Sequence, residues 1–319
     1  MEAEARFRAM GSDVHIVVVD GPPSLLDAAK ERIERLESLW SRFRPTSEIS
    51  RLNALAGRPV RVSEETLSLV ERALQGARIT DGRYDPTVLG ALVRAGYDRS
   101  FELLTDDDQQ PQSPLGLGSD GIVVDRGGST VALPAGTGFD PGGIGKGYAA
   151  DLVIRELLAE GAAGACVNVG GDLRVDGSGP GSSAWTVALE HPLRPRATEL
   201  IGLRSGAVAT STRARRSWGP PRKRRHHLID PATGRPADSG VLSATVIAAE
   251  AWQAEVLAKA AFVAGVSEGL FLMAAGGIDG LLIDDLGIVF PSAGLDRFLG
   301  PNSVSGPIRT LARQDGKAS

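Results

Sequence analysis

The segment Phe139–Asp151, FDPGGIGKGYAAD, places four glycines and one lysine at the start of an expected helix. It is not a P-loop, because that motif needs a glycine and a hydroxyl residue where this chain has Asp140 and Gly147. The alternation of its last three glycines also excludes the dinucleotide-binding fingerprint. Glycines let backbone N–H groups approach a ligand, and a helix start attracts anions, as does the charge of Lys146. The segment therefore indicates either an anion site or a glycine-rich turn that opens an ordinary core helix.

Composition narrows the class of protein. The chain has 319 residues and a net charge of -4, which argues against a nucleic-acid partner held by electrostatics, and the basic run Arg222–Arg225 is too short to change that. Cys166 is the only cysteine, so an intrachain disulfide is excluded. The first residues, MEAEARFRAM, lack the basic and apolar regions of a signal peptide, and no run of about 18 apolar residues occurs. We expect a cytoplasmic protein without membrane insertion.

Strand and helix patterns follow one another irregularly. A strand at Asp13–Val19 precedes a helix that buries one face, a second helix begins near Ser63, and a third spans Lys146–Glu160. Because no regular βαβ alternation appears, the pattern predicts an α+β fold. We expect one domain over residues 1–300 and a polar tail over residues 301–319.

Three later segments predict further strands. GACVNVGGDLRVDG is typical of one strand in which Gly170 and Gly171 form a bulge or a site of close backbone approach. Two more strands are expected around Trp185–Glu190 and Leu200–Thr210, and GLLIDDLGIVFP predicts a hairpin near the end.

Seven polar segments stand out in order along the chain. They are AMGS (9–12), SRFRPTSEISRLN (41–53), TDGRYDPTV (80–88), the glycine-rich segment, VNVGGD (167–172), HLIDPATGRP (227–236) and AEVLAKAAFVAG (254–265). In this order they resemble the ApbE family of FAD:protein FMN transferases, from Met10 to about Leu299. One such segment would be weak evidence, but seven in order are specific.

The resemblance implies a fold and an activity. The fold would be a single T-fold-related α+β domain with mixed or antiparallel sheets and flanking helices. The activity would be cleavage of the FAD pyrophosphate with Mg²⁺, attachment of FMN through a phosphoester bond to a threonine of an acceptor protein, and release of AMP. FAD would then be the substrate and the acceptor protein the partner, while the oligomeric state is not indicated.

The glycine-rich segment takes a defined role from the same resemblance. Asp140 and Lys146 match flavin-nucleotide positions, and Gly143 matches a place where a backbone carbonyl ligates the metal. Transfer at a highly charged phosphoryl centre needs cations at its oxygens, which a metal, Lys146 and backbone donors can supply. The anion expected at this helix start is therefore the FAD pyrophosphate.

Further site residues are implied by the other segments. Met10, Arg83, Tyr84 and Asp85 match FAD positions of the family. Phe43 stands where many members carry a tyrosine that contacts the flavin, so stacking is retained without a hydroxyl contact.

One histidine is implied to act in catalysis. His227 matches the histidine that precedes the I-D-P turn of the family, and an imidazole whose pKa lies near neutrality suits general-base catalysis. The neighbouring His226 matches no family position, and we expect it at the surface.

The last segment departs from the family. Its pattern A-D-A-L-A-T-A brings an aspartate and a threonine to the metal, and those places hold Glu255 and Lys259 in this chain. Glutamate keeps an oxygen ligand, whereas a protonated lysine cannot ligate a metal. Glutamate and lysine four residues apart also favour an ordinary helix ion pair. We expect Mg²⁺ to bind through Gly143 and Glu255 with weakened affinity.

Three functions follow from these observations. The first is FMN transfer to a protein, favoured because Asp140, Lys146 and His227 are all present. The second uses water in place of threonine, which gives an FAD pyrophosphatase producing FMN and AMP. The third is a non-catalytic FAD-binding protein whose metal site has been lost at Lys259.

Overall fold

The computed structural model describes residues 1–104, 113, 116, 118–182, 184–194, 198–220 and 224–299. The predicted tail at 301–319 and residues 222 and 223 of the basic run lie outside the described residues. In the part of the chain that is described, no helix combines the length and the apolar character needed to cross a membrane.

The described residues form seven α-helices: α1 Ser24–Trp40, α2 Glu48–Ala54, α3 Glu64–Ile79, α4 Leu89–Arg94, α5 Gly145–Ala159, α6 Ala251–Ala264 and α7 Val266–Ala275. The side chain of Ser63 accepts a hydrogen bond from the Thr66 N–H and so caps α3, which begins where the sequence predicted. A 3₁₀ turn at Pro141–Gly143 precedes α5.

The strands are β1 Glu2–Ala9, β2 Ser12–Val19, β3 Pro59–Arg61, β4 Val123–Asp125, β5 Thr130–Ala132, β6 Gly164–Val169, β7 Asp172–Gly177, β8 Trp185–Glu190, β9 Thr198–Leu203, β10 Gly206–Thr212, β11 Ser217–Trp218, β12 Arg225–His226, β13 Ile229–Asp230, β14 Arg235–Pro236, β15 Val241–Ala248, β16 Asp279–Asp284 and β17 Val289–Pro291. Eight of them form one sheet in the order β1-β2-β6-β7-β10-β15-β16-β17, in which every pair is antiparallel. Helices and an antiparallel sheet in one assembly confirm the predicted α+β class.

Strand β2 shows why the sheet is buried on both faces. Its Val14, Ile16 and Val18 pack into the core formed with α1, α5 and α6, whereas Val17 and Val19 pack on the opposite face. Because successive side chains of a strand point to opposite faces, this nearly continuous apolar run suits a sheet with helices on one side and the β8–β9 hairpin on the other.

Two strand predictions were wrong in detail. Gly170 and Gly171 do not interrupt one strand but form the two-residue turn between β6 and β7, with φ of +65° and +100°. Consecutive positive φ values are the geometry of a tight hairpin turn, which glycine adopts without strain. The strand expected at Leu200–Thr210 is two strands, β9 and β10, and the alternating strand Glu2–Ala9 was not predicted.

Contacts between α5 and α6 position the site. Asp151, on α5, accepts hydrogen bonds from the Ala251 and Trp252 N–H groups, each at 2.9 Å, and so caps the start of α6. Gly147 allows this approach, since a Cβ at that position would collide with the carbonyl oxygen of Ala251. The first turn of α5 therefore lies directly against α6.

Candidate active site

Two adjoining cavities lie at the start of α5. The main cleft is lined by Met10, Gly11, Glu37, Trp40, Ser41, Arg42, Phe43, Leu92, Tyr97, Ser100, Phe101, Glu102, Asp140, Pro141, Gly142, Gly145, Lys146, Arg216, His227 and Lys259. The side cavity is lined by Arg83, Tyr84, Asp85, Val88, Asp140, Gly143, His227, Ile229, Pro231 and Lys259. Asp140, His227 and Lys259 line both cavities. Ten of the eleven site residues predicted from the sequence therefore come together, and Glu255 lies behind Lys146.

Lys146 joins two carboxylates at the floor of the main cleft. Its ammonium donates to Oε1 of Glu255 at 2.9 Å and also to Asp172, while the Gly147 N–H donates to the other oxygen of Glu255 at 2.8 Å. Burial alone would lower the pKa of Lys146, but the charges of Asp172 and Glu255 raise it above its ordinary value. Burial raises the pKa of Glu255, against the opposing charge of Lys146. Lys146 is thus held in place as a permanent cation.

Lys259 does not make the predicted ion pair with Glu255. Within the described part of the chain its ammonium makes no ion pair within 4.0 Å, because Glu255 is engaged by Lys146 and Gly147. The side chain lies against Gly143 instead, where an added Cβ would be 2.7 Å from Cε and 3.1 Å from Nζ of Lys259. Burial and the charge of Lys146 lower the pKa of Lys259, against the opposing effects of Glu255 and Asp140.

His227 is a half-buried imidazole shared by the two cavities. Its Nδ1 lies 3.4 Å from the carbonyl oxygen of Arg216. Burial, together with the positive charges of Lys259 and Arg216, lowers its pKa well below the ordinary value. The ring is therefore neutral at pH 7, and with its proton on Nδ1 its other nitrogen can accept a proton.

His226 is not at the surface, and the prediction that placed it there was wrong. It is buried in β12, and its Nε2 lies 3.1 Å from the carbonyl oxygen of Ala237. Its ring also meets the edge of Phe262 at 5.8 Å between centroids. His226 thus packs in the core, whereas His227, the first residue after β12, lines the cleft.

Asp140 is buried and paired with Arg42, a residue that sequence reasoning did not select. Nε of Arg42 lies 3.0 Å from Oδ1 of Asp140, and the guanidinium stacks over the rings of Phe43 at 4.1 Å and Tyr97 at 4.6 Å. One of its terminal nitrogens is buried with no hydrogen-bond partner among the described residues. In the sequence, Arg42 could have been selected from its position beside Phe43, in a segment that resembles the family.

The other residues predicted to bind FAD differ in how far their side chains are already engaged by contacts within the protein. Met10 lies in the β1–β2 turn with φ of +52° and lines the main cleft. Arg83 lines the side cavity, and its guanidinium lies 3.9 Å from Glu268. Tyr84 is buried, and its hydroxyl has no partner among the described residues. Asp85 accepts hydrogen bonds from the N–H and hydroxyl of Thr87, so its carboxylate shapes the turn that carries it.

The donors near Gly143 do not fit a resident magnesium ion. Mg²⁺ requires oxygen ligands in octahedral geometry. The described residues contain no cluster of three or more His, Cys, Asp or Glu side chains suited to a metal. Both oxygens of Glu255 already accept hydrogen bonds, and the third predicted position is the cation Lys259.

The main cleft is an enzyme site suited to an anionic substrate. It combines the start of α5, the ammonium groups of Lys146 and Lys259, and the neutral imidazole of His227. The sequence model of the ApbE family matches residues 10–282. The chain belongs to the ApbE family.

Known FAD:protein FMN transferases are similar in sequence to this chain along most of their length. The FAD:protein FMN transferase of Treponema pallidum (strain Nichols) is 31% identical over 300 residues, which cover 86% of this chain and 82% of that protein. The FAD:protein FMN transferase of Vibrio cholerae (strain O395) is 29% identical over 257 residues, covering 79% of this chain and 76% of that protein.

Solved structures of the family have the same fold. The crystal structure of the ApbE protein from Thermotoga maritima superimposes with a TM-score of 0.85 at 31% identity, covering 94% of this chain and all of that one. The flavin transferase ApbE from Vibrio cholerae gives a TM-score of 0.80 at 26% identity, covering 94% of this chain and 99% of that one.

Proposed function

We propose that this protein cleaves FAD and transfers FMN to a threonine hydroxyl of an acceptor protein, releasing AMP. The observation that carries the proposal is the convergence of Asp140, His227 and Lys259 where the main cleft meets the side cavity. Family membership and the FAD:protein FMN transferases among its relatives support the choice of substrate.

The proposed reaction is a substitution at the phosphorus of the FMN half. The threonine oxygen forms a bond to that phosphorus, the bond from the phosphorus to the bridging oxygen breaks, and AMP departs with the bridging oxygen. His227 accepts the hydroxyl proton, for which a neutral ring is needed. Lys146, Lys259 and the start of α5 stabilise the negative charge on the phosphoryl oxygens.

Asp140, Arg42 and Phe43 position the substrate in this proposal. Arg42 orients Asp140 through their ion pair, and its guanidinium lies over the rings of Phe43 and Tyr97 in the wall of the main cleft. Aromatic rings in the cleft wall suit contact with the isoalloxazine or adenine ring of FAD. Met10, Arg83, Tyr84 and Asp85 complete the predicted FAD contacts.

Magnesium enters the proposal as a condition of the assay. The resemblance implies it, and Gly143 and Glu255 are the oxygen donors in the predicted set. No proposed step depends on it, because these donors fit a resident ion poorly. The acceptor protein, the cytoplasmic location and the single domain over residues 1–300 stay predictions.

The test uses full-length protein, FAD, MgCl₂ and a peptide that carries one threonine in candidate acceptor sequences. Covalent flavin fluorescence on the peptide, with one AMP released per flavin attached, is the expected result. A matched peptide with valine in place of threonine should remain unlabelled. Free FMN and AMP without labelling would identify a pyrophosphatase, and bound intact FAD would identify a non-catalytic binding protein; either result overturns the proposal.

A further inference from the structure

Lys259 differs from the other cations that line the site in having no hydrogen-bond or ion-pair partner among the described residues. Lys146 contacts Asp172 and Glu255, and Arg42 contacts Asp140. Arg216, which has no carboxylate partner, donates to the Gly11 carbonyl at 3.0 Å and to Ser12 Oγ at 3.1 Å. Among the described residues no carboxylate lies within 4.0 Å of the Lys259 nitrogen. The molecule therefore supplies a partner to each neighbouring cation and leaves this one open to an anion from outside.

The position of Lys259 defines which anion it would meet. Its side chain lines the main cleft and the side cavity at once, together with Asp140 and His227. It packs against the backbone of Gly143, in the 3₁₀ turn that leads into α5. An anion held at this helix start would therefore lie within reach of the ammonium.

A partly desolvated ammonium without a partner is costly, and an entering anion removes that cost. A pyrophosphate carries charge on several oxygens, and lysine acts on such groups as a point charge. A divalent cation in the same place would be repelled by the ammonium. Lys259 and a metal ion are thus alternative sources of positive charge at one location.

We propose that the Lys259 ammonium binds the FAD pyrophosphate directly and takes the place of a resident divalent metal, so that this protein binds FAD without Mg²⁺. The inference rests on the proposed function, because it takes FAD as the ligand. If Lys259 holds the pyrophosphate, no bound metal ion is needed for that purpose. This explains why the donors near Gly143 fit magnesium poorly.

The experiment measures the dissociation constant of FAD by calorimetry, once in EDTA and once in MgCl₂. For the unaltered protein the two values should agree within about twofold. Lys259→Met, which keeps the length of the side chain and removes its charge, should weaken FAD binding at least tenfold in both buffers. Riboflavin, which lacks the pyrophosphate, should bind this variant as it binds the unaltered protein.

Three further variants keep the test decisive. Lys259→Thr restores the oxygen expected from the family pattern, so its FAD affinity should be low in EDTA and recover in MgCl₂. Lys30→Met removes an exposed lysine of α1 outside both cavities and should leave every constant unchanged. Lys259→Gln substitutes for the methionine variant if thermal melting shows that the latter does not fold.

If MgCl₂ raised the FAD affinity of the unaltered protein tenfold or more, the inference would be overturned. Normal FAD binding by Lys259→Met in EDTA would overturn it as well. Failure of the proposed function is distinguishable from either result. In that case FAD would bind without a metal, yet no FMN would reach a threonine peptide.

Discussion

The ammonium of Lys146 donates to Oε1 of Glu255 at 2.9 Å and thereby joins the first turn of α5 to the middle of α6. The side chain of Glu255 is only 4% exposed, and its second oxygen accepts the Gly147 N–H. A residue predicted as a metal ligand therefore also holds two helices together.

Glu255→Ala should destabilise the fold strongly. The substitution leaves a buried N–H without an acceptor and removes one of the two carboxylates around Lys146, and breaking a buried pair costs about 3–5 kcal/mol. Denaturant unfolding measures the loss. Glu34→Ala, at a half-exposed i,i+4 pair on α1, is the control and should change stability by less than about 0.5 kcal/mol. Equal effects of the two variants would show that the Lys146–Glu255 contact contributes little.

His227→Ala should retain FAD binding and lose most of the transfer rate. Removal of a general base lowers a rate by on the order of 10² to 10⁴. Stopped assays of peptide labelling give the rate, and calorimetry gives the FAD affinity. His15→Ala, on β2 and outside both cavities, is the matched histidine control. Near-normal labelling by the His227 variant would remove this residue from the mechanism.

The rate of FMN transfer should not fall as the pH is lowered to 6.5. A base acts in its unprotonated form, so activity falls only as pH drops through its folded-state pKa. Burial and the charges of Lys259 and Arg216 place that pKa well below 6.5 for His227. The transfer rate is therefore expected to stay level from pH 8 down to 6.5. A rate that halves at or above pH 6.5 would contradict this assignment.

Arg42→Met should weaken FAD binding by roughly tenfold or more. The variant removes the charge paired with buried Asp140 and the stack on Phe43 and Tyr97, and a guanidinium stacked in this way is worth about 1–2 kcal/mol. Arg42→Lys should rescue little, because an ammonium cannot reproduce the planar contact. Arg58→Met, an exposed arginine outside both cavities, is the control for FAD titrations. Full affinity in Arg42→Met would show that Arg42 serves only the fold.

The sequence predicted those features that depend on local pattern. The start of α3 near Ser63, the start of α5 and the hairpin at β16–β17 are each encoded within a few neighbouring residues. The resemblance also selected the residues that meet in the two cavities, because each lies in a segment whose order along the chain is specific.

Features that depend on distant contacts were missed. Glu255 and Lys259 have the spacing of a helix pair, yet Glu255 bonds to Lys146, which is 109 residues away and can be found only from the fold. Arg42 acquires its role from Tyr97 and Asp140, which no local pattern connects to it. Gly170 and Gly171 predicted a bulge or a close backbone approach, but they form a turn because the segments on each side pair with one another along six residues each.

Asp151 caps α6 five residues after Lys146 bonds to it, so two successive turns of α5 are fastened to its neighbour. The floor of the main cleft is therefore supported by both helices at once. Across the cleft, Arg216 donates to the Gly11 carbonyl at 3.0 Å and to Ser12 Oγ at 3.1 Å, which ties this wall to the β1–β2 turn. The proposed proton acceptor His227 and the cation Lys146 are therefore anchored by separate sets of contacts, so substitutions can alter the position of one without touching the supports of the other.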